Sequence, residues 1–170
     1  VIQQAQENSV EMPEVQVLNY GDVIFELASD WGLVESRDDI TEIDPDMYDG
    51  LQVEVPEKIA EMEQRHDGVT ILDTHAALDT PAGYRPGLPK STIETLEPDK
   101  LTFVKATAEE IQARRESDDS RDRKSLALSE INEYQDVAES MAISCGVLAG
   151  CPVMIVWNSD GQLEAAGEKL

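Results

Sequence analysis

Cations are scarce in this chain. Only 13 Lys and Arg stand against 36 Asp and Glu in 170 residues, a formal net charge of −23. A surface of that sign repels nucleic acid and anionic lipid over most of its extent, so neither is expected as a partner. No apolar run reaches the length that crosses a bilayer. Residues 1–10 are mostly polar and carry no basic leader, and the cytoplasm is the expected compartment. Cysteines number two, Cys145 and Cys151. They sit six apart and two readings stand, a pair or two reduced, buried cytosolic thiols, of which the second is the expectation. Glycine is absent before Gly21, and no G-x-x-x-x-G-K-[ST] phosphate loop occurs in the sequence. Lys90-Ser91-Thr92 imitates the end of one, but Pro89 precedes it where the loop needs a glycine, and proline has no N–H to offer phosphate.

What is present points to one folded domain spanning 1–170. The acidic residues are spread through periodic segments and are not gathered in a tail. Self-repulsion of that size is tolerated in molar salt, where the Debye length is about 3 Å, so a halophilic source is expected. Five of the 13 cations fall together: Arg114, Arg115, Arg121, Arg123 and Lys124. Two readings stand side by side. The cluster either pairs with Glu116, Asp118, Asp119 and Asp122 on a helix surface, which contributes little, or clamps a polyanion, since guanidinium matches phosphate bidentately.

Apolar periodicity predicts strands at Val15–Tyr20, Val69–Asp73, Leu101–Lys105 and Val153–Trp157. The run Val69–Asp73 reads as a strand buried on both faces. Helices are expected over Asp22–Trp31, over Asp46–Gln64 with a break or kink at Pro56, from Ser91 to Leu96 with Ser91 as cap and Glu94 as its box partner, from Thr107 into the arginine cluster, over Ser125–Leu148, and over Leu163–Leu170. Three prolines and two glycines make Thr80–Pro89 a loop. Strands alternating with helices indicate an α/β parallel sheet with helices on both faces. Ligands of such sheets bind beyond the carboxyl ends of the strands. Asn19–Gly21, Asp73–His75 and Asn158–Gly161 fall there. Asp73 at such an end either holds magnesium, directly or through water, or caps a loop. His75 either touches a ligand or fills the crevice wall.

Several blocks resemble the adenylate kinases of archaea: Tyr20-Gly21-Asp22-Val23-Ile24-Phe25-Glu26 running on to Arg37-Asp38; Asp73-Thr74-His75 followed by Thr80 to Pro89; Arg114-Arg115-Glu116-Ser117-Asp118 with Arg121 and Arg123; and Met141 to Gly150, then Ile155 to Asn158 and Gly161. They keep one order from about residue 15 to the C-terminus. The resemblance implies a P-loop NTPase core of the nucleoside monophosphate kinase type. It implies reversible phosphoryl transfer from ATP to AMP giving two ADP, with Mg2+, and a homotrimer in many members. It also implies site residues. Arg114 and Arg115 open a lid-like segment at about 114–124, and Arg121 and Arg123 close it over the phosphates. Arg37, Gly21, Thr74 and His75 belong to the AMP side, Asn158 lies near the ATP adenine, and Asp73 is near the metal.

The chain departs from that family in places. The family opens on a strand, a phosphate loop and a helix; Val1-Ile2-Gln3-Gln4-Ala5 looks like the middle of that helix. Its first strand is central, between those here at Val69–Asp73 and Leu101–Lys105. Without it these two expose unpaired edges or close on one another, and the 170 residues alone are expected to be poorly stable and inactive. Thr41 and Glu42 stand where the family usually has a further basic residue, and Lys124 follows Arg123 where it often has an acid. Two alternatives accompany the reading: a kinase for another monophosphate (CMP, UMP or dCMP), and a non-catalytic acidic regulator on a degenerate kinase fold.

Overall fold

The computed structural model describes residues 13–80, 82–117, 126–161 and 167. The expected helix over 163–170 and most of the lid-like stretch, including Arg121, Arg123 and Lys124, lie outside the described residues. The chain divides into two compact units.

One unit is built on Glu11–His75 and Gly87–Pro98. Strand β1 (Val15–Asn19) passes directly into helix α1 (Tyr20–Asp30), a 3-10 turn follows at Arg37–Glu42, then α2 (Pro45–Gln64), β2 (Val69–Asp73) and α3 (Lys90–Leu96). β1 and β2 are parallel, in register from Val15 opposite Val69 to Asn19 opposite Asp73. Tyr20, Val23 and Ile24 of α1 bury against Val55 and Ile59 of α2, with Leu18, Leu72 and Leu96 packed around them. Ala28, Val34 and Leu51 form a second cluster. The Tyr20 hydroxyl donates to Gln52 Oε1 at 3.0 Å and sits 3.4 Å from Thr92 Oγ1. Burial raises its pKa, which the Thr92 contact opposes and Tyr48 adds to.

Three expectations change in this unit. Helix α2 is not broken at Pro56, whose ring is fully buried, so the break half of that expectation falls. β2 is not buried on both faces. Thr70 and Leu72 turn inward while Val69, Ile71 and, on β1, Val17 are exposed, so the strand alternates as a half-covered strand does. α3 starts at Lys90 with Pro89 as its cap and no side-chain capping bond, so Ser91 is not the cap. A Lys90–Glu94 ion pair spans its first turn in place of the expected box.

The other unit comprises Ala76–Pro86 with Asp99–Leu170. Its regular elements are strands β3 (Ala77–Thr80), β4 (Gly83–Pro86), β5 (Leu101–Lys105) and β6 (Val153–Trp157), with helices α4 (Ala108–Glu116) and α5 (Leu128–Ala149). The segment Thr80–Pro89 is therefore not all loop: β3 and β4 make an antiparallel hairpin, pairing Ala77 with Pro86 and Thr80 with Gly83. Pro86 is tolerated because it ends its strand, and Thr80 Oγ1 donates to the Gly83 carbonyl at 2.6 Å across the turn. Tyr134 of α5 ties the hairpin down by donating to the Ala77 carbonyl at 2.7 Å.

β5 and β6 are parallel, from Leu101 opposite Val153 to Lys105 opposite Trp157. Ala106, Ile131, Ala138, Ala142 and Val156 are buried in this unit. The capping box at Thr107 and Glu110 is present as expected: Glu110 N–H donates to Thr107 Oγ1, and Thr107 N–H to Glu110 Oε2. Among the described residues, β2 pairs only with β1 and β5 only with β6. No described helix is long and apolar enough to cross a membrane.

Candidate active site

In the first unit, polar groups converge where β1 and β2 end. Asn19, last in β1, is the N-cap of α1: its Oδ1 accepts from the Asp22 N–H at 3.2 Å. The same oxygen accepts from Arg37 Nη2 at 3.1 Å, and Asn19 Nδ2 donates to Asp73 Oδ2 at 2.9 Å. Arg37 also pairs with Asp22, Nη1 to Oδ1 at 2.5 Å. One carboxamide thus joins a guanidinium to a carboxylate at the tips of two parallel strands.

Gly21 makes room for this. A Cβ there would stand 2.7 Å from Arg37 Nη2 and 3.1 Å from Asn19 Oδ1. The turn that delivers Arg37 is held by Asp39, whose Oδ2 accepts from the Ser36 N–H at 2.7 Å and the Glu35 N–H at 3.1 Å. The Ser36 N–H, then the Ser36 hydroxyl, then the Glu35 N–H keep the Asp39 carboxyl below its usual range. Thr74, half-buried, and His75, exposed, follow β2 directly. Sequence reasoning placed Asn19–Gly21 and Asp73 at this end, and the resemblance added Arg37, but neither gave Asn19 a role in the site. Its signal was there: a strand-ending Asn three residues before the Asp of a helix's first turn.

In the second unit, Arg114 and Arg115 occupy the last turn of α4, where the helix dipole favours cations. Arg114 reaches the loop after β6. Its Nη2 donates to the Asn158 carbonyl at 2.7 Å and to Asp160 Oδ1 at 2.5 Å, and its Nε to the same oxygen at 3.0 Å. Glu110 holds that loop from its other side by accepting the Asp160 N–H at 2.8 Å. This bond first, and the Thr107 N–H and hydroxyl after it, lower the Glu110 pKa. The structure therefore brings Arg114 and Asn158 together, through the Asn158 backbone and through Asp160, which composition gave no reason to single out. At the end of β5, Lys105 pairs with Glu139 at 2.5 Å and lies 5.0 Å over the Trp157 ring, while its carbonyl accepts the Asn158 N–H at 2.8 Å.

The oxygen donors suit a hard cation poorly as a cage and well as a single anchor. Among the described residues no three carboxylates, histidines or cysteines converge on one point. Asp73 keeps one carboxylate oxygen beyond the one that Asn19 uses. Mg2+ beside a polyphosphate takes one or two carboxylates and keeps several waters, so Asp73 fits as the residue that would hold it.

The AAA domain family matches residues 3–132. With parallel strand pairs joined through helices, this makes the chain an AAA-type P-loop NTPase domain with the nucleoside monophosphate kinase fold. It is similar to the adenylate kinase of Methanothermobacter thermautotrophicus, 40% identical over 160 residues that cover 94% of this chain and 85% of that protein. It is also similar to that of Methanopyrus kandleri, 38% identical over 157 residues, 92% and 82% of the two chains. With that of Methanococcus vannielii it shares 36% identity over 171 residues, 100% of this chain and 88% of the relative. The chain belongs to the adenylate kinase family and is a phosphotransferase.

Proposed function

We propose that the chain transfers the terminal phosphoryl group of ATP to AMP, reversibly, giving two ADP, in the cytoplasm of a salt-adapted cell. The observation that carries this is the Arg37–Asn19–Asp73 chain of hydrogen bonds at the strand tips. A cation suited to a monophosphate and a carboxylate suited to a hydrated metal stand beside each other, held by one side chain.

The roles follow. Arg37 and Gly21, with Thr74 and His75, form the AMP side. Asp73 would hold, through water, the Mg2+ that accompanies ATP, which would neutralise charge on the phosphates. Asn158, with its carbonyl on Arg114, sets the loop beside the ATP adenine. Arg114 and Arg115 root the lid-like segment at about 114–124, and Arg121 and Arg123 gather around the moving phosphoryl. Transfer of this kind needs in-line placement and stabilisation of spreading negative charge more than covalent help. The two units act as one nucleotide-kinase domain. No G-x-x-x-x-G-K-[ST] phosphate loop is among these 170 residues. The wider family's homotrimer goes with this reading, and light scattering reads it.

The test is a coupled assay of ADP formation in molar KCl, with AMP, CMP, UMP and dCMP as acceptors, on the 170 residues alone and on the same chain with a phosphate-loop segment fused ahead of Val1. AMP should be the fastest acceptor. A faster rate with another monophosphate moves the assignment to that kinase. Nucleotide binding without turnover favours the acidic regulator.

A further inference from the structure

Helix α5 ends in a Schellman motif. Gly150, its C-cap, lies in the left-handed region at φ 68° and ψ 22°, which glycine adopts without strain, and its N–H bonds the Gly146 carbonyl. The N–H of the next residue, Cys151, reaches the same carbonyl at 3.1 Å. This motif folds the residue after the glycine back over the helix, into side-chain contact five or six positions earlier. Five earlier is Gly146, which has no side chain to offer. Six earlier is Cys145.

The close approach is visible in the backbone. A Cβ built on Gly146 would overlap Val153 Cγ2 and lie 3.3 Å from the Cys151 carbonyl oxygen, so the returning chain lies against the helix beside Cys145. Both residues stand as thiols, Cys145 buried and Cys151 half-buried. The Cys145 pKa is raised, first by burial and then by the charge of Cys151.

We propose that Cys145 and Cys151 are a built dithiol that closes to an intrachain disulfide on exchange with a small-molecule disulfide. The more accessible thiol reacts first. The Cys151 thiolate attacks one sulfur of the small disulfide, a new S–S bond forms, and one small thiol leaves with a proton. Cys145, having lost its proton, then attacks the Cys151 sulfur. The mixed disulfide breaks and the second small thiol leaves. The two cysteine sulfurs lose two electrons and two protons together, and the small disulfide gains both. The helix turn that places the pair also holds it, so the second step is intramolecular and outruns trapping of the mixed disulfide.

The test incubates the folded wild-type chain with oxidised glutathione in molar KCl, quenches with acid, and counts thiols and mass. Both thiols should vanish, the mass should fall by two hydrogens, and no glutathione should be retained. Cys145→Ser should retain one glutathione on Cys151. Cys151→Ser should react roughly ten times more slowly at the buried thiol. The urea-unfolded wild type should retain mixed adducts at a glutathione ratio that closes the folded chain. A folded wild type that keeps glutathione on Cys151 with Cys145 still a thiol, or that couples between chains, overturns the proposal.

Discussion

Gly21→Ala isolates the part Arg37 plays. Gly21 lies in the first turn of α1 without a positive φ, so alanine is allowed by the backbone and improves helix propensity by up to about 1 kcal/mol. The new methyl would meet Arg37 Nη2 at 2.7 Å. The guanidinium is the far end of a flexible side chain with 48% of its area exposed, so it swings away and the fold does not yield. The surface pair with Asp22 contributes about 0–1 kcal/mol, and its loss roughly cancels the propensity gain. Stability should therefore stay within about 1 kcal/mol of wild type.

Substrate binding should not stay constant. A hydrogen bond between charged groups contributes about 1.5 kcal/mol at its lower end, which is about tenfold in affinity. The KM for AMP should rise about tenfold while the KM for ATP holds, read in initial-rate assays of the complete enzyme with each nucleotide varied in turn. Arg37→Ala should match it. The double variant should add no more than about 0.5 kcal/mol beyond Arg37→Ala, since both changes remove one contact. A KM for AMP within a factor of two of wild type in Gly21→Ala, or full additivity in the double variant, refutes the reasoning.

Other outcomes follow from the same geometry. Arg121→Ala and Arg123→Ala should each lower kcat by roughly a hundredfold or more with an unchanged circular dichroism spectrum; turnover near wild type removes them from the site. Leu51→Ala, at a fully buried position, should destabilise by about 2–5 kcal/mol in urea melts run in molar KCl. Glu110 has a folded pKa below its ordinary value of 4.5. Its stabilisation is present above the unfolded pKa and is lost as pH falls through the folded one. Thermal melts of Glu110→Gln from pH 7 down to pH 3 should thus show a shallower acid slope than wild type, with the two converging at the acid end; parallel slopes refute the assignment.

The parallel strands and one helix cap were the most legible features. Leu101–Lys105, Val153–Trp157 and the Thr107–Glu110 box are local matters of periodicity and spacing, and they fold as read. Pro56 does not break α2, because its local penalty is outweighed by burial that only the packed helix reveals. The hairpin at Ala77–Pro86 was hidden because prolines and glycines punctuate loops and tight two-strand turns alike. Val69–Asp73 read as doubly buried from composition alone, but a run of apolar residues does not say how many faces a neighbour covers.

The candidate site divided the same way. Residue types that chemistry requires could be named from sequence: Arg37, Asp73 and Arg114. Their pairings with Asn19 and Asp160, which sequence placed at the strand ends without a role, could not be read, because Asn19 sits 54 positions from Asp73 and Asp160 sits 46 from Arg114. Such partnerships exist only once strands are laid side by side.

The amide of Asn19 has a consequence for hydrolysis as well. Hydrolysis to aspartate would leave the helix cap intact, since an oxygen still faces the Asp22 N–H. It would turn the donor aimed at Asp73 into a second acceptor 2.9 Å away. Two carboxylates at that separation do not both stay ionised, so one would hold a proton or swing off. A preparation could then keep its melting curve through long storage while its catalytic half-life ran out at a single nitrogen atom.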